Sequence, residues 1–230
     1  MDYHVVVVGG GPAGIITALT TKSVYPEKSV CVIKEIGDGV IPCAIPYMIQ
    51  TLADPLQNAM GDMPLEKAGI EVVVGKAVSI DTRERKVLMQ SGDFHSYERL
   101  VLATGTEMVL PPIPGIKTPG VFTVQKSMTA MTALRAKIEN AGRIVIIGGG
   151  FIGAEFAHVF SAFGSQVTVV VRGDRMLRHE DEEISRRYTE AAGRDMTLLL
   201  GHATRRVETG EDGVRVHVSD SSGAERVVEA

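Results

Sequence analysis

The chain has 230 residues, of which 44% are hydrophobic and 23% charged, the composition of an ordinary globular protein with one large or two small domains. Its net charge is −4 and it has no run of Lys and Arg, which argues against nucleic acid as a partner. No apolar run reaches the roughly 18–20 residues needed to cross a bilayer, so no membrane partner is expected. Two cysteines without metal-ligand spacing predict neither a disulfide framework nor a metal site, and favour a cytoplasmic location.

The first predicted elements form a βαβ unit. Residues 5–8 are all valine, typical of a strand buried on both faces of a parallel sheet. A G-x-G-x-x-G loop and a helical segment follow, and residues 29–33 predict a second buried strand. In such a loop the glycines allow a tight turn and let a pyrophosphate approach the helix N-terminus. The candidate nucleotide-binding residues here are Gly9, Gly11, Pro12, Ala13 and Gly14.

The second strand ends in Lys34 and Glu35, about 20 positions after the last glycine of the loop. An acidic residue at about that distance binds the ribose hydroxyls in dinucleotide sites. Glu35 has the required chemistry, although Lys34 occupies the nearer position.

Cys43 lies between two prolines in the segment Ile41-Pro42-Cys43-Ala44-Ile45-Pro46-Tyr47. Proline is tolerated in the first turn of a helix but not in its interior, so Pro46 predicts that Cys43 lies at or just before a helix N-terminus. There the helix dipole and free backbone N–H groups favour a thiolate, which makes Cys43 a candidate reactive sulfur. The alternative is a buried, inert cysteine. Cys31 is in the middle of an apolar strand and is predicted to belong to the core.

A β-meander, a further strand and a linker complete the first half of the chain. The next buried strand, residues 100–103, ends in Thr104-Gly105, and the Pro-rich residues 111–115 predict a linker. Ser127 is predicted to cap a helix that runs to about Asn140. The three strands of the meander are predicted at residues 70–80, 86–90 and 94–98.

The same order of elements then repeats. A buried strand at residues 144–147 precedes a second G-x-G-x-x-G loop, and a helix and a strand follow. A second meander is predicted with strands at residues 196–207, 213–219 and 225–230. Even Gly75-Lys76-Ala77 recurs as Gly201-His202-Ala203. The predicted fold is therefore α/β, with two tandem Rossmann-like nucleotide-binding domains, each a parallel sheet with a three-stranded β-meander. The second copy is expected to end one strand short. The candidate binding residues of the second loop are Gly148, Gly150, Phe151, Ile152 and Gly153.

The equivalent strand of the second copy ends in Val171-Arg172, with no acidic residue. Arg172, helped by Arg175, could pair with a ribose 2′-phosphate, which predicts a preference for NADPH over NADH. The alternative is that both arginines are solvated surface charges.

This combination of motifs resembles the pyridine nucleotide-disulfide oxidoreductases, which are flavoproteins with two dinucleotide-binding domains. The residues that support the resemblance are the first glycine loop, the Ala103-Thr104-Gly105 turn, and the second glycine loop followed by Glu155. The resemblance implies an FAD-binding domain at residues 1–110 and an NAD(P)H-binding domain at residues 111–230. It implies FAD contacts from the first loop, Lys34, Glu35, Ala77, Ala103, Thr104 and Gly105, and NAD(P)H contacts from the second loop, Glu155, Val171 and Arg172.

The single cysteine in Cys43-Ala44-Ile45-Pro46-Tyr47 is similar to the one-cysteine branch, which includes coenzyme A-disulfide reductases, NAD(P)H oxidases and persulfide reductases. That resemblance implies a small-molecule sulfur substrate, Cys43 as the redox centre, and a homodimer of a protein about twice this length. Pro12-Ala13 replaces the His of the oxidases, and only Lys22 stands where the coenzyme A enzymes have arginines. The alternatives are an oxidase that reduces O2 and a truncated nucleotide-binding fragment without turnover.

Overall fold

The structure, a computed structural model, describes residues 2–139 and 141–230. The chain forms two compact units. The first consists of Met1–Ile45, Asp54–Glu107 and Gln125–Ala130, and the second of Pro46–Ala53, Met108–Val124 and Met131–Ala230. The domain boundary predicted at residue 110 stays a prediction, and Asn140, the predicted helix end, lies outside the described residues.

The sheet of the first unit has the strand order β3-β2-β1-β6-β5-β4. Strands β1, β2, β3 and β6 run parallel, while β4, β5 and β6 form an antiparallel meander. The predicted α/β fold is confirmed. The strands are β1 (Asp2–Val8), β2 (Val30–Lys34), β3 (Glu71–Val74), β4 (Ala77–Asp81), β5 (Lys86–Met89) and β6 (Phe94–Leu102), and the first three helices are α1 (Pro12–Val24), α2 (Ile45–Gln50) and α3 (Met63–Lys67).

Two predicted strand boundaries of this unit are wrong. The strand predicted at residues 70–80 is two strands, because β3 pairs in parallel with β2 whereas β4 turns away to pair with β5. The strands predicted at residues 94–98 and 100–103 are one, since β6 pairs with β1 continuously from Ser96 to Leu102. The charged residues Glu98 and Arg99, which interrupt the apolar pattern, are exposed within that strand.

The sheet of the first unit is covered on both faces, as the valine runs predict. Alternate residues of β1 and β2 point to opposite faces, so Val6 and Cys31 belong to one core cluster while Val7 and Val32 belong to another. The second cluster also includes Ala18 from α1. Cys31 has no exposed surface, which confirms its prediction as a core residue.

The second unit repeats the βαβ arrangement, with a parallel sheet in the order β7-β8-β9 and an antiparallel meander β10-β11-β12. The strand predicted at residues 196–207 is again two strands, separated at Gly201, whose φ is +67°. Within the described residues, no helix is both long and apolar enough for a membrane crossing. The remaining elements are α4 (Met128–Ile138), β7 (Arg143–Ile147), α5 (Phe151–Ala162), β8 (Gln166–Val171), α6 (Glu182–Asp195), β9 (Thr197–Leu200), β10 (Ala203–Thr209), β11 (Val214–Ser219) and β12 (Glu225–Glu229).

Candidate functional site

The three glycines of the first loop have different structural requirements. Gly9 has a φ of +121°, and a Cβ atom there would collide with the Ala103 carbonyl oxygen. A Cβ at Gly14 would collide with the carbonyl oxygen of Gly9. Gly11 has a φ of −79°, which any residue adopts, and a Cβ there would meet nothing within 4 Å. Gly9 and Gly14 are thus required by the packing of the protein itself. Gly11 instead leaves open space in which the pyrophosphate of a ligand can come close to the protein backbone.

The second loop has the same division of roles. Gly148 has a φ of +116°, and a Cβ at Gly153 would collide with the Gly148 carbonyl oxygen, but Gly150 faces open space. Gly11 and Gly150 are the N-caps of α1 and α5, and neither helix has a side-chain cap. The N–H groups of the first turn of α5, and those of α1 after Pro12, which has no N–H, are therefore available to an anion, as the pyrophosphate of a dinucleotide requires.

At the end of β2, Lys34 and Glu35 have different partners. The Lys34 ammonium is buried and lies 2.5 Å from the Asp62 carboxylate, and its aliphatic chain packs beneath Gly10. Glu35 is exposed, with its Oε1 atom 3.1 Å from the Lys76 ammonium. Glu35 therefore supplies an accessible carboxylate beside the loop, while Lys34 is directed to Asp62. A cofactor role for either residue stays a prediction.

The turn after β6 lies beside the first glycine loop. The Ala103 N–H donates to the Val8 carbonyl at 2.8 Å, and Gly105 has a φ of +70° with open space where its Cβ would be. Ala103 and Thr104 therefore lie beside Gly9 at the carboxyl ends of the parallel strands, where open α/β sheets bind ligands. Ala77 begins β4 and packs against the core.

Cys43 is a free, exposed cysteine in the 3₁₀ turn Pro42–Ala44, immediately before α2. This is the position that Pro46 predicts. Cys31 contrasts with it, because burial, together with the nearby Glu71 carboxylate, raises the pKa of the Cys31 thiol to about 12. Of the two sulfurs, Cys43 is the one that a solute can reach.

The second unit contains a cavity of about 670 Å³ at the carboxyl ends of β7 and β8. The second glycine loop forms one wall, the segments after β8 and β9 form others, and residues 111–113 of the Pro-rich segment complete the lining. Among the lining residues, cationic side chains outnumber the single carboxylate of Glu180. The basic and imidazole groups of the lining are Arg172, Arg175, Arg178, His179, His202 and Arg205.

The cavity wall fits an anionic, polar ligand such as NAD(P)H. Arg175 Nε and Thr204 Oγ1 are buried and have no hydrogen-bond partner among the described residues. Among the described residues, Arg172 and Arg178 have no carboxylate partner. The Arg175 guanidinium lies 3.3 Å from the Asp174 carboxylate. Val171 and Phe151 also line the cavity, and Ile152 and Glu155 lie exposed in the first turns of α5.

The described residues contain no cluster of His, Cys, Asp or Glu that could hold a metal ion.

Sequence spacing did not identify every residue of this wall. Arg178, His202 and Arg205 come from segments that are brought together by the strand order β7-β8-β9. A sequence signal did exist, since His202 occupies in the second copy the position that Lys76 has in the first.

Comparison with known proteins agrees with this site. The chain matches the pyridine nucleotide-disulphide oxidoreductase family over residues 3–230, and it belongs to that family. It is 35% identical to the NAD(P)H coenzyme A polysulfide/persulfide reductase of Pyrococcus horikoshii over 233 residues, which cover 96% of this chain and 51% of that protein. It is 30% identical to the NADH oxidase of Methanocaldococcus jannaschii over 203 residues, covering 82% of this chain and 45% of the relative.

Solved structures show the same fold. A ferredoxin reductase from Rhodopseudomonas palustris superposes with a TM-score of 0.86 at 26% identity, covering 96% of this chain and 56% of that one. The family consists of FAD-dependent NAD(P)H oxidoreductases. The chain spans about half the length of these curated relatives.

Proposed function

We propose that this chain belongs to an FAD-dependent NAD(P)H oxidoreductase that reduces a disulfide, persulfide or polysulfide through Cys43. The observation that carries the proposal is the exposed, free thiol of Cys43 in the unit whose glycine loop fits FAD. The similarity to a polysulfide/persulfide reductase supports a small-molecule sulfur substrate. A homodimer of the longer protein is part of the same proposal, and sedimentation of that full-length protein tests it.

The chemistry of Cys43 follows from its exposure. Its thiolate attacks one sulfur of the substrate, forms a mixed disulfide, and releases the other sulfur as a thiolate. Two electrons and one proton then cleave the mixed disulfide, restoring the Cys43 thiolate and releasing the second product as a thiol. FAD, when bound, supplies hydride and electron-transfer chemistry between NAD(P)H and this sulfur. The first glycine loop and Glu35 would hold FAD, and the cavity of the second unit would hold NAD(P)H.

Replacing Cys43 tests this proposal. In the full-length protein, Cys43→Ser is expected to abolish NAD(P)H-dependent reduction of a polysulfide or disulfide, because serine cannot form the mixed disulfide. Cys31→Ala is the matched control and is expected to retain turnover, since Cys31 is buried in the core. Full sulfur reduction by Cys43→Ser would exclude the thiol mechanism.

An oxidase that passes electrons to O2 is the second candidate, favoured by the similarity to an NADH oxidase. NAD(P)H-dependent oxygen consumption, measured with an electrode and without a sulfur acceptor, distinguishes the two. Oxygen consumption faster than sulfur reduction would favour the oxidase. A third possibility is a nucleotide-binding module without turnover, which purified protein that neither carries nor takes up FAD would support.

We also propose that the second unit prefers NADPH to NADH. The support is the cationic lining of its cavity, in which Arg172 follows β8 and Arg178 has no carboxylate partner in the described structure. A guanidinium paired with the 2′-phosphate gives about tenfold in affinity or more. Arg172→Ala is therefore expected to weaken NADPH binding about tenfold and leave NADH binding nearly unchanged. Equal loss for both nucleotides would contradict this role.

A further inference from the structure

The cavity of the second unit contains a histidine to which nothing above assigns a role. His202 lies in the turn between β9 and β10 and lines the cavity. Its main-chain N–H donates to the Val171 carbonyl at 3.0 Å, and the Gly201 N–H donates to the Gly173 carbonyl at 2.7 Å. Both bonds fasten this turn to the end of β8, so His202 has a fixed place in the wall.

The hydrogen bond of the His202 ring determines what its other edge offers. Nδ1 lies 2.6 Å from the Leu200 carbonyl oxygen, and a carbonyl only accepts. Nδ1 therefore carries a proton, and in a neutral imidazole Nε2 is then an acceptor. Most charged side chains of the surrounding wall are donors, because Arg172, Arg175 and Arg205 line the same cavity and Glu180 is the one carboxylate among its described lining residues. The Asp220 carboxylate is also close enough to His202 to interact with it electrostatically. Nε2 is thus an acceptor in a wall otherwise rich in donors.

The sheet order indicates which part of a dinucleotide meets this acceptor. The pyrophosphate is expected at the glycine loop after β7, and the adenosine ribose at the end of β8. In the order β7-β8-β9, the next position along this edge is the end of β9, where Gly201 and His202 lie. We therefore expect the base attached to that ribose to extend in the same direction, toward His202.

We propose that His202 recognises the adenine base of NAD(P)H by accepting a hydrogen bond from its 6-amino group at Nε2. This inference deepens the proposed function and rests on it. It assigns to His202 the selection of adenine over bases without that amino group, a role separate from the recognition of the 2′-phosphate by arginines.

The test compares two nucleotides on this chain without FAD. Dissociation constants for NADPH and for its hypoxanthine analogue, which lacks the 6-amino group, are measured from nicotinamide fluorescence at mildly alkaline pH. The unmodified chain is expected to prefer NADPH by about five- to tenfold, as for one hydrogen bond lost in a buried site. In His202→Ala this ratio is expected to fall to about one, through weaker NADPH binding.

Two controls make the outcomes distinct. His158→Ala removes an exposed imidazole of α5 outside the cavity lining and is expected to keep the preference. His202→Asn supplies an amide oxygen that can accept a hydrogen bond, and this variant is expected to recover part of the preference for NADPH over its hypoxanthine analogue. NADPH binding with the preference intact in His202→Ala would overturn the inference and leave the proposed function standing. Binding of neither nucleotide by the unmodified chain would overturn both.

Discussion

Glycines within one loop serve different purposes, and the difference can be measured residue by residue. Gly14 allows α1 to approach the Gly9 carbonyl, so a methyl group there must displace backbone. Gly11 has ordinary backbone angles and open space around it. One G-x-G-x-x-G motif therefore contains both a packing requirement and a ligand requirement, and only the structure separates them.

Gly14→Ala is expected to destabilise the chain by about 2 kcal/mol or more, because overpacked backbone contacts do not relax without cost. Gly11→Ala is expected to change the unfolding free energy by no more than about 0.5 kcal/mol. Thermal unfolding followed by circular dichroism measures both, and about 2 kcal/mol corresponds to a midpoint lowered by about 4–8 °C for a chain of this size. Equal destabilisation by the two substitutions would contradict the assignment.

At the scale of elements, the N-terminus of α4 is capped from far away in the chain. The Asp38 carboxylate accepts hydrogen bonds from the Thr129 N–H at 3.0 Å, the Thr129 hydroxyl at 2.7 Å and the Ser127 hydroxyl at 3.2 Å. These bonds, first those from Thr129, hold the pKa of Asp38 below its usual range. Ser127 is the cap predicted from sequence, and its hydroxyl oxygen accepts a hydrogen bond from the Ala130 N–H at 3.4 Å.

Asp38→Ala is expected to lower the free energy of unfolding by about 0.5–1 kcal/mol at neutral pH. This is the lower part of the range for the loss of a helix cap, because the site is exposed. A folded-state pKa below the unfolded value means that the ionised carboxylate stabilises the fold above the unfolded pKa, about 3.9. This contribution is lost as the pH falls from there through the lower folded pKa. The difference in unfolding midpoint between the unmodified chain and Asp38→Ala should therefore shrink below about pH 4. Asp212→Ala, in an exposed turn, is the control, and a difference that grows in acid would contradict the prediction.

The elements also show where reasoning from sequence succeeds and fails. Valine runs and glycine loops specify the βαβ units, because buried parallel strands and tight turns leave strong local patterns. The division between β3 and β4 has a weaker signal, since residues 72–74 and 77–80 form one largely apolar stretch that only Gly75-Lys76 interrupts. Likewise, Arg172 could be found from its distance to the glycine loop, whereas Arg205 reaches the same cavity only through the strand order.

For the whole molecule, the repeated architecture predicts two nucleotide sites that can be disabled separately. Gly11 and Gly150 occupy equivalent N-cap positions in α1 and α5, and each belongs to a different unit. A ligand present at 100 times its dissociation constant stabilises the protein by about 2.7 kcal/mol, or about 5–10 °C in the unfolding midpoint here. FAD and NADPH should therefore each raise the midpoint of the unmodified chain.

Gly11→Ala should lose most of the shift caused by FAD and keep that caused by NADPH, because its methyl group occupies the space where the FAD pyrophosphate would approach. Gly150→Ala should show the converse. Differential scanning fluorimetry measures NADPH stabilisation directly, and circular dichroism avoids the fluorescence of added flavin. Loss of both shifts in both variants would mean that the two glycine loops do not form separate sites. Selective loss would show that the two glycine loops form separate sites for two cofactors in this chain.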